Sequence, residues 1–243
     1  MKNFKIKNVT ICLHCGCNQS IVDFQMQELN ALKDNYNITW NNRIDRYPKA
    51  YKSYSDLIND SVVTSKDEFL ILVNDRATPH AHQAIKMLNH LEEGFACSLM
   101  YNVGYMAFSK ELFRVIGGWD TRFLNGGWED RDWVFRIAEA NLKLYESQEG
   151  TYDYSWKSPL QENDRCAKSE PHFRKKWSVT DSFVARNISE QNEDSFDLGD
   201  RRLDISSNWG EWSDSILGID YDKPNSGPPG SAWINGKTFT SYL

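Results

Sequence analysis

The chain predicts an α/β fold: a mixed, mainly parallel sheet flanked by helices, followed by an extended C-terminal tail. Three observations carry this expectation. Apolar, β-branched runs recur at Val9-Thr10-Ile11-Cys12-Leu13 and Glu68-Phe69-Leu70-Ile71-Leu72-Val73. Segments with apolar residues three and four apart lie between such runs. Strands alternating with helices need crossover connections, which cover both faces of a parallel sheet.

The elements follow in order. Val9 to Leu13 fits a short buried strand. Ser20 is expected to cap a helix over 20–33, with Ile21, Phe24, Leu29 and Leu32 on its inner face. Asn37-Ile38-Thr39-Trp40 predicts a second strand. Residues 51–65 predict a helix with Tyr54, Leu57, Ile58 and Val62 on one side. Glu68 to Val73 is the strongest strand signal, ending at Asn74-Asp75. Residues 79–91 predict a helix that buries Ala84, Met87, Leu88 and Leu91. Two more strands are expected from Phe95 to Met100 and from Gly104 to Phe108, then a short helix from Glu111 to Ile116. A last helix over 129–142 should bury Trp133, Val134, Ile137 and either Ala138 or Asn141.

The domain is expected to span residues 1–186. Residues 187–243 are rich in Asp, Ser, Asn, Gly and Pro and hold 10 of the 34 acidic but only 4 of the 28 basic side chains. The net charge of -6 therefore arises in this tail. Its tryptophans and isoleucines predict a segment docked on the domain or on a neighbouring subunit, which makes it a candidate for homo-oligomer contacts. Nucleic-acid binding requires a basic face to displace counterions, and only Arg174-Lys175-Lys176 offers a basic cluster. No apolar run approaches the ~20 residues of a membrane span. The basic N-terminus reads as the approach to a strand rather than a signal peptide.

Five cysteines, an odd number, predict reduced thiols in a cytoplasmic setting. Cys12-Leu13-His14-Cys15-Gly16-Cys17 has a partial zinc-ligand look, but no second cluster completes four ligands. Sequons at Asn8, Asn18, Asn37, Asn59 and Asn187 read as chance matches, several of them inside core elements.

The chemistry centres on Gly117-Gly118-Trp119-Asp120-Thr121-Arg122-Phe123-Leu124-Asn125-Gly126-Gly127-Trp128-Glu129-Asp130-Arg131-Asp132. Small residues give way to three carboxylates at the start of a helix. That layout suits removal of a proton from a sugar hydroxyl. Asp130 is the candidate general base, kept ionised by the helix dipole. Glu129 is expected to accept hydrogen bonds from acceptor hydroxyls, and Trp119 and Trp128 to offer flat faces to sugar rings. Asp132 either caps the helix or pairs with Arg136. In a parallel sheet, ligands bind beyond the carboxyl ends of the strands, which singles out His14 and Asn74-Asp75. Asp75 is a candidate ligand for Mn2+ or Mg2+, both of which take oxygen donors. Arg76 is placed to touch a phosphate. Asn74-Asp75 before Thr78-Pro79 is also a good turn sequence. Asp153 and His172 are further candidate metal ligands. His80, His82 and His90 are expected to be surface groups.

Residues 9–177 resemble a GT-A (Rossmann-like) glycosyltransferase, close to family 2 and to the galactosyltransferase-like C-terminal module of family 7. The resemblance is carried by Gly104-Tyr105-Met106-Ala107-Phe108-Ser109-Lys110-Glu111-Leu112-Phe113, then Ile116-Gly117-Gly118-Trp119-Asp120, then Gly126-Gly127-Trp128-Glu129-Asp130-Arg131-Asp132. Ile58-Asn59, ahead of the strand ending at Asp75, and Phe173-Arg174-Lys175-Lys176-Trp177 are weaker matches. The resemblance implies inverting transfer from a nucleotide-diphosphate sugar, with a UDP-sugar as expected donor and a glycan or glycoprotein hydroxyl as acceptor. It implies Asp130 as base and Glu129 as its acidic neighbour. The donor-side candidates are His14, Asn42, Arg43, Asn59, Asn74, Asp75 and Arg76. The chain departs from the family at three points: Asp-x-Asp is here Asp75-Arg76-Ala77, the nucleotide-contacting Asp gives way to Asn41-Asn42-Arg43, and the His often found near the end of the last strand appears as Asp153 or a neighbour. Two other functions share some of these features. One is a non-catalytic carbohydrate-binding protein on a degenerate transferase fold. The other is a sugar nucleotidyltransferase, which would want a basic glycine-rich loop that Gly16 alone does not supply.

Overall fold

The computed structural model describes residues 4–14, 19–43, 54–100, 102–123, 128–140 and 142–147, together with 169, 173, 233–234 and 237–238. Six strands form one mixed sheet: β1 (Asn8–His14), β2 (Asn37–Trp40), β3 (Phe69–Asn74), β4 (Cys97–Met100), β5 (Asn102–Ser109) and β6 (Leu144–Ser147). Their spatial order is β2-β1-β3-β5-β4-β6. β1 pairs in parallel with β2 and β3, and β4 with β6. β5 runs antiparallel to both β3 and β4. In the tail a two-stranded pair forms from β7 (Trp233–Ile234) and β8 (Lys237–Thr238).

Both faces of the sheet are buried, which explains the unbroken apolar runs. Successive strand side chains point to opposite faces. Leu70 and Leu72 join Cys12, Phe108 and Leu144 in one core, against α2 (Tyr54–Thr64), α4 (Lys110–Ile116) and α5 (Glu129–Glu139). Ile71 and Val73 join Val9, Ile11, Leu13 and Ala107 in the other, against α1 (Gln19–Asn30) and α3 (Ala81–Glu92). α3 buries Ala84, Met87, Leu88 and Leu91, as its spacing predicts.

The first helix differs from expectation. It starts at Gln19, so Ser20 lies inside its first turn rather than capping it, and it tightens into a 3-10 turn over Ala31–Asp34. Val22, Gln25 and Leu29 face inward, while Phe24 is 38% exposed. Gln25 is buried because its amide nitrogen, Nε2, donates to the carbonyls of Asn74 and Ala77, both at 2.8 Å. A polar side chain therefore ties α1 to the turn after β3.

The helix expected over 129–142 ends at Glu139. Only four residues separate it from β6, and the Ala96 amide closes that link on the Lys143 carbonyl at 2.8 Å. So short a connection makes α5 run opposite to β6. β6 is parallel to β4 and shares its direction with β1 and β3. The N-terminus of α5 therefore faces the sheet edge where β1 and β3 end. The register sets His14 beside Asn74 at that edge.

Candidate active site

At the end of β1, His14 is 3% exposed and turns toward α2. Its Nε2 lies 2.7 Å from Ser61 Oγ, and its ring meets Tyr54 edge-on at 5.8 Å. Burial, reinforced by the charge of Arg43, pushes its pKa down to about 3. His14 is therefore neutral at physiological pH. Its Nδ1 is buried without a hydrogen-bond partner among the described residues.

Beyond β2, the amides of Asn41 and Arg43 continue the ladder along β1, donating to the carbonyls of Ile11 and Leu13 at 2.9 and 2.8 Å. Arg43 pairs with Asp60 through Nε at 3.0 Å and donates through Nη2 to Thr64 Oγ1. The guanidinium expected to meet the donor is thus bound to α2. Asn42 approaches Met26 Sδ at 3.9 Å and has a buried Oδ1 with no partner among the described residues.

The turn after β3 takes the geometry its sequence favours. Asn74 Oδ1 accepts from the amides of Arg76 at 3.0 Å and Ala77 at 3.1 Å. The Asn74 side chain thereby serves the turn, while Asp75 and Arg76 are half-buried at the strand end. A divalent ion of the kind the resemblance implies needs several oxygen donors. Among the described residues no three His, Cys, Asp or Glu side chains come together to hold one. Asp153 and His172 lie outside the described residues.

Asn59, expected on the donor side, is fully buried. It bonds the backbone of Trp119 at both ends of its amide, Nδ2 to the carbonyl at 2.7 Å and Oδ1 from the amide at 2.8 Å. Both polar ends of its amide are thus engaged by the Trp119 backbone. Trp119 itself is 0% exposed, so it cannot serve as an open sugar platform. Its indole packs against Tyr54 at 6.3 Å and Trp133 at 5.4 Å. The chain of rings from His14 through Tyr54 and Trp119 to Trp133 joins the end of β1 to the first turns of α5.

The acidic segment sits among buried ion pairs. α4 stops at Gly117, whose φ of 79° suits glycine. Arg122 grips Asp120 with Nε at 2.9 Å and Nη2 at 3.1 Å. Arg136 bonds Asp132 through Nε at 3.0 Å and caps the Ile116 carbonyl through Nη1 at 2.8 Å. Of the two roles open to Asp132, pairing with Arg136 is the one observed. Trp128 adopts a φ of 71°, uncommon for a bulky residue, and packs against Phe173 at 5.0 Å. Glu129 is buried, whereas Asp130 is half-buried and accepts from the Arg131 amide at 2.8 Å. Asp130 is thus the more open of the two carboxylates on the first turn.

Sequence reasoning missed Tyr54 and Ser61 as neighbours of His14. A tyrosine and a serine in one helix carry no local mark of the strand they meet. The sequons divide: Asn59 is buried, but Asn8 and Asn37 are exposed at strand starts and bond each other at 2.9 Å.

No family model matches the chain, and no curated protein matches it. Among solved structures, it is similar to the catalytic domain of Drosophila beta1,4-galactosyltransferase 7 in complex with xylobiose, with a TM-score of 0.47 and 12% identity over 63% of this chain and 72% of that one.

Proposed function

We propose that this protein is an inverting glycosyltransferase that moves a sugar from a nucleotide-diphosphate donor to a glycan or glycoprotein hydroxyl. Asp130 takes the proton of the attacking hydroxyl. The observation that carries this reading is the placement of α5. Its residue Trp133 is linked to His14 at the end of β1 through the rings of Trp119 and Tyr54, and Glu129 and Asp130 lie on the turn before it. A base must lie within hydrogen-bond reach of the proton it removes, and a shared edge brings acceptor and donor together.

The remaining roles follow from chemistry. The buried Nδ1 of His14 and Oδ1 of Asn42 are acceptors for donor N–H or O–H groups. Arg76 supplies positive charge for the leaving diphosphate. Trp128, rather than Trp119, offers the ring face for an acceptor sugar. The buried, reduced thiols of Cys12 and Cys97 fit a reducing, cytoplasmic setting.

The test is Asp130→Asn, assayed with a panel of UDP-hexoses and other nucleotide sugars. Transfer should fall by at least ~100-fold, with donor affinity within about threefold of wild type. Transfer at near wild-type rate removes Asp130 as the base. Asp75→Ala tests the other side of the site. A gain in donor affinity from Mn2+ that disappears in this variant assigns the cation to Asp75. Equal affinity in both proteins, with and without Mn2+, removes Asp75 from the site.

A further inference from the structure

Helix α2 presents three consecutive polar residues to three separate parts of the site. Asn59 bonds the Trp119 backbone, Asp60 pairs with Arg43, and Ser61 meets His14. The Asn59 contact stands apart because both ends of one amide serve a single residue sixty positions away. A side-chain amide sets donor and acceptor side by side, so the pair fixes both the position and the orientation of the Trp119 peptide groups. Burying this amide is costly unless both ends are bonded. Its neighbours Ile58 and Val62 belong to the apolar core, so an apolar residue would suit the surroundings at lower desolvation cost. What the amide adds is orientation. From the other side, Arg136 bonds the Ile116 and Gly117 carbonyls at 2.8 and 3.3 Å. The turn from Ile116 to Trp119 is therefore gripped between α2 and α5.

We infer that Asn59 is a positioning residue for the acidic segment. It fixes the Gly117–Trp119 turn and, through the packing of Trp119 on Trp133, sets the first turn of α5 against the strand ends. The catalytic consequence rests on Asp130 acting as the base; the clamp itself does not.

The test uses the full chain with Asn59→Ala and with Asn59→Leu, a near-isosteric variant that fills the site if the smaller side chain fails to fold. Amide hydrogen exchange should speed up about tenfold at residues 117–123 in both, because each loses the two bonds. Exchange in residues 8–14 should stay as in wild type. Turnover of nucleotide sugars, read as released nucleoside diphosphate, should show a lower kcat at unchanged donor KM. Unchanged exchange at Trp119, or an equal rise across all strands, overturns the clamp. Local loosening with wild-type kcat overturns its catalytic role. If Asp130→Asn still turns over while residues 117–123 loosen in the Asn59 variants, the assignment of the base fails and the clamp stands.

Discussion

Ser61 Oγ stands between two partners, His14 Nε2 and the Leu57 carbonyl. Ser61 Oγ has one proton, and that proton points to the Leu57 carbonyl one helical turn back, at 2.9 Å. With that proton on Leu57, His14 Nε2, 2.7 Å from the same oxygen, carries its own hydrogen. The neutral ring is left with Nδ1 as a bare acceptor at the end of β1. Helix geometry in α2 thus selects a tautomer in β1, and the selected tautomer decides what the strand end can bind.

The burial of His14 beside Arg43 has a signature in acid. Folded His14 stays neutral down to about 3, whereas the ordinary value is 6.5. Between these values the unfolded chain binds the extra proton, so stability rises with pH there. The contribution is complete above about 6.5 and is lost as pH falls toward 3. The limiting slope is about 1.4 kcal/mol per pH unit. Urea unfolding of wild type and His14→Gln between pH 7.5 and 4 should give a shallower acid limb for the variant. Parallel limbs would mean that His14 is accessible to protons in the folded protein.

The Asp132–Arg136 pair is buried on both sides, so removing either partner strands a charge away from water. Asp132→Ala and Arg136→Ala should each lose about 3–5 kcal/mol. The joint change Asp132→Leu with Arg136→Met should recover more than half of that loss, since two apolar side chains leave no charge behind. Denaturant midpoints at constant slope measure this directly. A single-variant loss under about 1 kcal/mol would show the pair to be solvated.

Trp119 and Trp128 were interchangeable as candidate sugar platforms, and burial separates them. Trp119→Ala should cost about 3–5 kcal/mol, as for a large aromatic removed from a packed core. Thermal or urea unfolding checks it. A cost near that of a surface substitution, within about 0.5 kcal/mol, would return the indole to the solvent side.

Much of the sheet was legible because periodicity is local. The strand at Asn37–Trp40 and the inward residues of α3 follow from spacing alone. Phe24 misled for the same reason. Its hydrophobicity fits either face of the helix, while Gln25 is drawn inward by carbonyls about fifty residues away. The acidic segment was legible as a site because glycines, tryptophans and carboxylates cluster in one short stretch. The partition of labour inside it was not. Nothing in the sequence distinguishes an asparagine that meets a ligand from one that meets the Trp119 backbone. Arg43 likewise carries the same charge whether it faces a phosphate or Asp60.

Cys12 and Cys97 carry reduced thiols buried on the same side of the sheet, and burial lifts the Cys12 thiol to about 11. Alkylating reagents attack thiolates, so these sulfurs stay silent while β1 and β4 remain closed and react once the strands part. Timed labelling with iodoacetamide would make each sulfur an internal clock for how often its own strand opens.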